Sequence, residues 1–257
     1  MILNGKRLRT ALVTGAAKRI GRAIVEDLAA DGFAVAIHAS RSIEEAENFA
    51  AELRQRGAKA VAVRANLQKI DETSDLVKKA SDAIGPLDLL VNNASVFHED
   101  SVRHINVEAW DEHFAVHVRA PSILSAGFAA QLPDGTDGLV VNIIDQRVWA
   151  LRPSFYSYTL SKSALWTATQ TMAQALAPRI RVNAVGPGPS MPSERQSQED
   201  FQAQVSALIL KRGPQLEEFG KTIRFLYETP SITGQMIALD GGQHLAWQTP
   251  DVAEITE

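Results

Sequence analysis

The feature that most constrains the fold of this chain is an alternation of short apolar runs, rich in Val, Ile and Leu, with longer amphipathic stretches. A short apolar run bounded by turn residues is typical of a strand buried on both faces, and the longer stretches have helical periodicity. The predicted strands are Arg9–Val13, Ala34–His38, Ala60–Arg64, Leu87–Val91, Gly138–Ile143, Arg181–Val185 and Met236–Leu239. The predicted helices are Ile20–Ala30, Ile43–Arg56, Glu72–Ala83, Val107–Ala130, Tyr158–Ala177 and Gln215–Tyr227.

Strands that alternate with helices form right-handed βαβ units. The sequence therefore predicts an α/β Rossmann fold with a doubly wound, parallel, seven-stranded sheet and helices on both faces. No repeat, low-complexity tract or linker divides the 257 residues, so we expect a single domain over 1–257. The polar segment Ser190–Asp200 follows a strand's carboxyl end, where such sheets bind ligands, and is predicted as a loop. It is either a substrate lid or a plain surface loop, and the acidic tail 249–257 is expected to fray.

Charge and composition exclude several classes of protein. The net charge of −4 argues against a nucleic-acid binder, which would show a stripe of basic residues. No apolar run approaches the ~20 residues that a membrane span requires. The absence of cysteine excludes disulfides and thiolate chemistry, and the first residues lack a secretory h-region. His98, His104, His113 and His244 show no metal-ligand spacing, so no metal is predicted. We expect a cytoplasmic protein whose partner is a small-molecule substrate, with no nucleic acid and no membrane.

A strand–turn–helix at the start of the chain indicates a phosphate site. The turn reads Thr-Gly-Ala-Ala-Lys-Arg-Ile-Gly over residues 14–21. Gly15 permits the tight turn, Gly21 permits close helix–sheet contact, and the helix N-terminus offers free N–H groups to a phosphate. The turn residues predicted to bind a cofactor are Gly15, Lys18, Arg19 and Ile20.

The end of the second predicted strand indicates which dinucleotide binds. No acidic residue for a ribose 2′-hydroxyl follows it before Glu44, and the strand end offers Ser40, Arg41 and Ser42. Arginine suits a 2′-phosphate, and Arg19 can approach from the turn, so the prediction is NADPH. The alternative is that both arginines are ordinary surface charges.

Further cofactor contacts are predicted where other strands end. His38 lies at the end of the second strand, and Asn66 with Leu67 follows the third. Asn66 either binds the adenine edge or forms a turn. The remaining candidates are Asn93, Ala94 and Ser95, placed near the ribose unless they merely end a strand, and Pro187, Gly188 and Ser190, placed near the nicotinamide, pyrophosphate or substrate.

Asp145, Tyr158 and Lys162 form the candidate catalytic set. Tyr158 and Lys162 are four residues apart and share one helix face. A nearby cation favours the phenolate, so Lys162 is expected to lower the pKa of Tyr158 toward neutral and make it a proton donor for a reduction. The carboxyl of Asp145 works against this, and activity is expected to fall at alkaline pH. The alternative is a chance pair on a solvated helix.

Together these motifs resemble the short-chain dehydrogenase/reductase family from Thr10 to Gly242. The matching pieces are residues 14–21, Asn92-Asn93-Ala94, Tyr158 with Lys162, Asn183-Ala184-Val185-Gly186-Pro187-Gly188 and Leu239-Asp240-Gly241-Gly242. The resemblance implies that Tyr158 donates the proton and that Lys162 holds the nicotinamide ribose. It also implies a homotetramer built on the helices near Val107–Ala130 and Tyr158–Ala177.

Three departures from the family pattern are informative. Arg19 replaces a turn glycine, Asp145 replaces the usual serine, and His117 lies where the family commonly has asparagine. The first two look like the pteridine reductase branch. The His117 segment looks like the bacterial dihydromonapterin reductases, which also show dihydrofolate reductase activity. In this branch an aromatic residue at the place of Phe97 stacks on the pterin; the alternative is a packing residue under a loop.

The resulting functional prediction is an NADPH-dependent reductase that transfers a hydride to a pterin-type C=N bond, with a dihydropterin or dihydrofolate as substrate. Tyr158 donates the proton with Lys162, and Asp145 relays a proton or holds a ring N–H. Phe97, Asp145 and Tyr158 are the predicted substrate contacts, and His117 is expected to position backbone or water. The alternatives are a general carbonyl reductase, including one acting on 3-oxoacyl thioesters, and a non-catalytic NADP-binding regulator.

Overall fold

The computed structural model describes residues 2–3, 6–192 and 196–249. Its centre is a parallel sheet of β1 Thr10–Val13, β2 Ala34–Ala39, β3 Ala60–Arg64, β4 Leu89–Asn92, β5 Gly138–Ile143, β6 Ile180–Pro187 and β7 Met236–Leu239. The strand order is β3-β2-β1-β4-β5-β6-β7, so the winding reverses between β1 and β4. Ligands bind at the carboxyl ends of strands beside such a reversal. An antiparallel pair of short strands, Ile2–Leu3 with Lys6–Arg7, precedes the sheet and was not predicted.

The helices between the strands cover both faces of the sheet. They are α1 Arg19–Ala30, α2 Ile43–Gln55, α3 Ile70–Ile84, α4 Val107–Phe114, α5 Ala120–Gln131, α6 Tyr156–Leu176, α7 Gln198–Ser206 and α8 Leu216–Glu228. Successive residues of β1 belong to different cores, since Ala11 and Val13 pack with α1, α2 and α8 while Leu12 packs with α3 and α5. The predicted doubly wound, seven-stranded Rossmann fold is confirmed.

The helix predicted at Val107–Ala130 is interrupted. A π-helical turn, Ala115–Arg119, separates α4 from α5 and contains the buried His117. Pro121 lies in the first turn of α5 and has no amide hydrogen to donate to a preceding turn, so a regular α-helix cannot pass this point with all its hydrogen bonds. Such turns frequently mark functional sites.

The predicted loop 190–200 is wrong at its end, because α7 begins at Gln198. The hydroxyl of Ser197 caps α7 by accepting a hydrogen bond from the amide of Asp200 at 3.0 Å. None of the residues of α7 is buried, so the helix lacks the apolar face by which sequence periodicity would reveal it. Residues 193–195 of the predicted loop and 250–257 of the predicted tail lie outside the described residues. Within the described part, no helix is long and apolar enough to cross a membrane.

Candidate active site

The carboxyl ends of β1, β4, β5 and β6 meet around a cleft of about 510 Å³. A cavity of about 310 Å³ continues it toward β2 and β3, and a third of about 470 Å³ continues it toward α7. Of the predicted site residues, the cleft brings together Gly15, Lys18, Arg19, Ile20, Asn93, Ser95, Phe97, Asp145, Tyr158, Lys162, Pro187, Gly188 and Ser190. The 310 Å³ cavity brings together Gly15, Lys18, His38, Ser40, Arg41, Ser42, Asn66, Leu67, Ala94 and Ser95.

In the glycine turn, the backbone of Gly15 packs closely against the backbone of Ala94. Gly15 has φ +61°, and a Cβ there would lie 2.8 Å from the Cα of Ala94. A Cβ on Gly21 would lie 2.5 Å from Nδ2 of Asn93, which donates to the carbonyl oxygens of Thr14 and Gly15 at 2.8 and 3.0 Å. Both glycines are therefore required for this turn.

The N-terminus of α1 faces the same cleft. The amide of Arg22 donates to the carbonyl of Lys18 at 3.2 Å, and the amides before Arg22 come too early in the helix to reach an intrahelical acceptor. Arg19, Ile20 and Gly21 line the cleft, so these amides are placed to bind a phosphate.

The two arginines predicted to read a 2′-phosphate do not share a cavity. Arg41 is exposed beside Ser40 and Ser42 in the 310 Å³ cavity. Arg19 lines the other side of the turn, where its Nη1 donates to the carbonyl of Pro192 at 3.2 Å. The approach of Arg19 to the 2′-phosphate stays a prediction. Lys18 lines both cavities, with its ammonium 2.7 Å from Glu45.

Asn66 forms a turn. Its Oδ1 accepts a hydrogen bond from the amide of Gln68 at 3.0 Å, and its own amide donates to Glu72 at 2.7 Å. This is an Asx turn, so the turn-forming alternative from the sequence is confirmed. The adenine contact stays a prediction that rests on the side-chain nitrogen of Asn66.

The buried side chain of His38, on β2, connects the glycine turn to the residue that follows β3 through two hydrogen bonds. Its Nδ1 accepts a hydrogen bond from the amide of Gly15 at 3.1 Å, so Nε2 carries the proton and donates to the carbonyl of Ala65 at 3.0 Å. The ring is only 2% exposed, and burial lowers the pKa of His38 to about 4. A neutral His38 thus fixes the position of the turn.

Asp145, Tyr158 and Lys162 lie together at the ends of β5 and α6. The phenol of Tyr158 donates to Oδ2 of Asp145 at 2.9 Å, and the amide of Arg147 donates to Oδ1 of Asp145 at 2.8 Å. Lys162 donates to the carbonyl of Ile143 at 2.9 Å. Tyr158 and Lys162 are only 6% and 2% exposed. Both side chains line the cleft, but they are largely shielded from solvent.

The electrostatics of this set differ from the sequence-based expectation. Burial, and next the charge of Asp145, raise the pKa of Tyr158 well above its usual range, while the charge of Arg147 opposes the rise. Burial lowers the pKa of Lys162 to about 8, against the raising effect of Asp145. The expectation that Lys162 brings Tyr158 toward neutral is therefore wrong. The tyrosine holds its proton through neutral and mildly alkaline pH.

His117 positions the backbone beside this set, as expected. Its Nε2 accepts hydrogen bonds from the amide of Val96 at 3.1 Å and the hydroxyl of Ser95 at 3.0 Å. The proton is therefore on Nδ1, which donates to Ser161 at 2.8 Å, and Ser161 donates to the carbonyl of Tyr158 at 2.7 Å. Burial, and next the charge of Lys162, lower the pKa of His117 well below its usual range.

His113 repeats the arrangement one helical turn earlier, and the sequence interpretation missed it. Its Nε2 accepts from the amide of His98 at 3.1 Å, and its Nδ1 donates to Ser157 at 2.8 Å. Burial, and next the charge of His98, lower the pKa of His113 to about 4. The signal in the sequence is that His113 and His117 are four residues apart, as are their partners Ser157 and Ser161. Together the two histidines hold the backbone of residues 95–98 in place.

Phe97 lies on the segment that these histidines hold. Its ring stacks on Phe155 with centroids 4.3 Å apart and meets Tyr158 edge-on at 4.7 Å. It lines both the main cleft and the 470 Å³ cavity. Phe97 is thus a packing residue and a cleft wall at once, with one face covered by Phe155.

Gly188 sits opposite, where β6 ends. Its amide donates to the carbonyl of Leu239 at 2.8 Å, and a Cβ on it would lie 2.6 Å from the Cα of Asp240. Glycine is required for this contact between β6 and the end of β7, which places Pro187 and Ser190 on the cleft wall. No group of three or more His, Cys, Asp or Glu side chains suited to a metal ion occurs within residues 2–3, 6–192 and 196–249.

The known proteins that this chain is similar to are dehydrogenases and reductases. Residues 9–202 match the family model of the short chain dehydrogenases. Structures of FolM Alternative dihydrofolate reductase 1 from Brucella suis and Brucella canis, each in complex with NADP, are 61% identical to this chain with a TM-score of 0.93. The likeness covers 95% of this chain and 98% and 97% of theirs. The 3-oxoacyl-(acyl-carrier-protein) reductase of Synechocystis sp. is 31% identical over 238 residues, 91% of this chain and 96% of that protein.

Proposed function

Because the chain belongs to the short-chain dehydrogenase/reductase family, we propose that it is an NADPH-dependent reductase of a pterin-type C=N bond, converting a dihydropterin or dihydrofolate to its tetrahydro form. The observation that carries the proposal is the 2.9 Å pair of Tyr158 and Asp145 in a cleft walled by Phe97. The 61% identity to the Brucella FolM reductases supports the substrate class.

The residues present fit NADPH. The Gly15 turn and the amides before Arg22 form a phosphate cradle, and a side chain larger than glycine in the turn would collide with Ala94 or Asn93 and disrupt it. From this cradle one cavity leads to Ser40, Arg41 and Ser42, which suit the 2′-phosphate, and the other leads to Lys162, which suits the nicotinamide ribose. Bound NADPH would supply the hydride for the reduction.

Tyr158 is the proposed proton donor. Its raised pKa keeps the phenol protonated at neutral pH, and the hydrogen bond to Asp145 holds the hydroxyl at the cleft. Donation to a ring nitrogen leaves a phenolate near the carboxylate, and the positive charge of Arg147 opposes that repulsion. With substrate bound, Asp145 holds a ring N–H or relays a proton.

A general carbonyl reductase is the second candidate, because 3-oxoacyl-(acyl-carrier-protein) reductases are among the relatives at 29–31% identity. Asp145 argues against it. Reduction of a ketone develops negative charge on an oxygen, and a carboxylate beside Tyr158 repels that charge, whereas it attracts a pterin N–H.

The test is loss of NADPH absorbance with purified protein and dihydrofolate, dihydrobiopterin, dihydromonapterin, simple ketones and a 3-oxoacyl thioester. Turnover of a dihydropterin is expected, and Tyr158→Phe should reduce kcat by about 10²- to 10⁴-fold because the proton donor is lost. The Tyr158→Phe variant should keep its affinity for NADPH, and this retained affinity shows that the variant is folded. Turnover of the carbonyl compounds alone would move the protein to the second class. Biological function that survives Tyr158→Phe would indicate a non-catalytic regulator.

We further propose that residues 1–257 form one NADP-binding domain, that four copies assemble through α4–α5 and α6, and that the enzyme works in the cytoplasm. One seven-stranded sheet draws its strands from residues 10–239, which supports the single domain. Light scattering on the purified protein should give four times the chain mass of 27.9 kDa. A mass of one or two chains would contradict the assembly, and cell fractionation tests the location.

A further inference from the structure

The cleft extends beyond the reacting groups. The 470 Å³ cavity starts at Phe97 and Asp145 and continues to Gln196 and Gln204 near α7. A pterin ring placed against Phe97 and beside Asp145 occupies the inner end, so the outer part of the cavity faces the substituent carried by the ring. The side chains there are candidates for reading that substituent.

Arg147 is the cation that lines this cavity among the described residues. Its Nη1 atom is buried and has no hydrogen-bond partner within the part of the chain that the structure describes. A buried, charged donor without a partner is costly, since it has lost water and gained nothing in return. The guanidinium is therefore placed to meet a group that the described residues do not provide.

The neighbouring aromatic rings do not supply the missing hydrogen bond. The carbon of the guanidinium is 5.2 Å from the centroid of Phe97 and 5.0 Å from that of Phe155, and the two rings are stacked 4.3 Å apart. The same carbon is also 5.9 Å from the centroid of Tyr158. Ring contacts at such distances attract a cation, but they leave Nη1 without a hydrogen-bond acceptor.

The carboxylates of the cavity are engaged elsewhere or exposed. Asp145 accepts from Tyr158 and from the backbone amide of Arg147, and Asp200 accepts from Ser197 at 2.7 Å. Glu99 is exposed to solvent. The amides of Gln196 and Gln204 bond to each other at 3.0 Å. Among the described residues that line this cavity, Arg147 thus carries the charge that lacks a partner.

We propose that Arg147 binds an anionic group on the side chain of the dihydropterin substrate. This deepens the proposed function and rests on it. The planar fork of arginine suits the two oxygens of a carboxylate or phosphate, so the enzyme discriminates in favour of pterins with a charged substituent. A carboxylate tail, as in dihydrofolate, and a phosphate ester, as in dihydroneopterin monophosphate, share this chemistry.

The experiment compares wild type, Arg147→Gln and Arg152→Gln with three substrates: dihydrofolate, dihydroneopterin monophosphate and the neutral dihydrobiopterin. Arg152 is an exposed arginine five residues further along and absent from the cavity lining, so its variant makes the same charge change as a matched control. Arg147→Gln should lower kcat for all three substrates alike, because the positive charge that opposes the Tyr158 phenolate is lost. It should raise KM about 10-fold or more for the preferred anionic substrate alone, with KM for dihydrobiopterin changed by less than about twofold. Arg152→Gln should change neither.

The two anionic substrates identify the source of the charge, because the larger KM effect marks the group that Arg147 binds. Added salt should raise KM for that substrate in wild type and have little effect in Arg147→Gln. Equal loss of kcat/KM for all three substrates would overturn the inference and leave the reductase intact. No turnover of any pterin by wild type would overturn the proposed function and the inference with it. Unchanged NADPH affinity in each variant shows that the fold is retained.

Discussion

His38→Gln is expected to make the protein less sensitive to acid. In the folded chain the neutral ring of His38 accepts from Gly15 and donates to Ala65, and burial lowers its pKa to about 4. Protonation would turn the acceptor toward the Gly15 amide into a second donor and place a charge in the core. Glutamine keeps one donor and one acceptor and does not titrate.

The magnitude follows from the difference between the two pKa values. The unfolded chain has a His38 pKa of 6.5 and binds the proton that the folded chain refuses until about pH 4. Stability from this group is therefore complete above pH 6.5 and is lost as the pH falls through that window. The loss amounts to about 2 kcal/mol at pH 5 and about 3 kcal/mol at pH 4.

The assay is urea unfolding of both proteins between pH 7.5 and pH 4, at one fixed protein concentration so that assembly does not alter the comparison. His113 and His117 also have lowered pKa values, but they contribute equally to both proteins and cancel in the difference. The free energies of unfolding should converge as the pH falls, because wild type loses about 2 kcal/mol more by pH 5. Two curves that stay parallel from pH 7.5 to pH 4 would refute the assignment of a neutral, buried His38.

Two further predictions concern charge. Lys162, with its pKa lowered to about 8, loses its positive charge as the pH rises through that value, so kcat/KM should fall above pH 8 in wild type. A pH–rate profile of Lys162→Arg should lack this decline, because arginine stays charged; a decline that persists would assign it to another group. Arg41→Ala should raise Kd for NADPH by about 10- to 100-fold and leave Kd for NADH unchanged, as measured by fluorescence titration. Arg56→Ala, at the end of α2, is the control, and an equal effect on both cofactors would contradict the 2′-phosphate role.

The sequence predicted the fold because local patterns report local structure. Each strand of the sheet and most of the helices follow from apolar runs and amphipathic periodicity, which record where a segment is buried. The departures occur where that signal fails. Helix α7 has no buried residue, and the π-helical turn at Ala115–Arg119 keeps a helical pattern while changing its hydrogen bonds.

The candidate catalytic set was also accessible from sequence. Tyr158 and Lys162 are held together by helical spacing, and Asp145 follows closely on β5, whose neighbouring strands end at the same edge. Parallel strands place their carboxyl ends on one edge, so residue type and strand position were sufficient to bring these groups to one cleft.

Tertiary structure alone decided the electrostatics and the outer cavity. Whether Lys162 or Arg147 counters the raised pKa of Tyr158 depends on burial and on distances across the cleft, which spacing along the chain does not specify. The hydrogen bond from Arg19 to Pro192 likewise joins residues far apart in sequence. Local periodicity determined which segments fold and where they end, because it reflects burial and backbone hydrogen bonding. Side-chain direction, desolvation and the unsatisfied charge of Arg147 arise from residues distant in sequence, and only the packed chain brings those together.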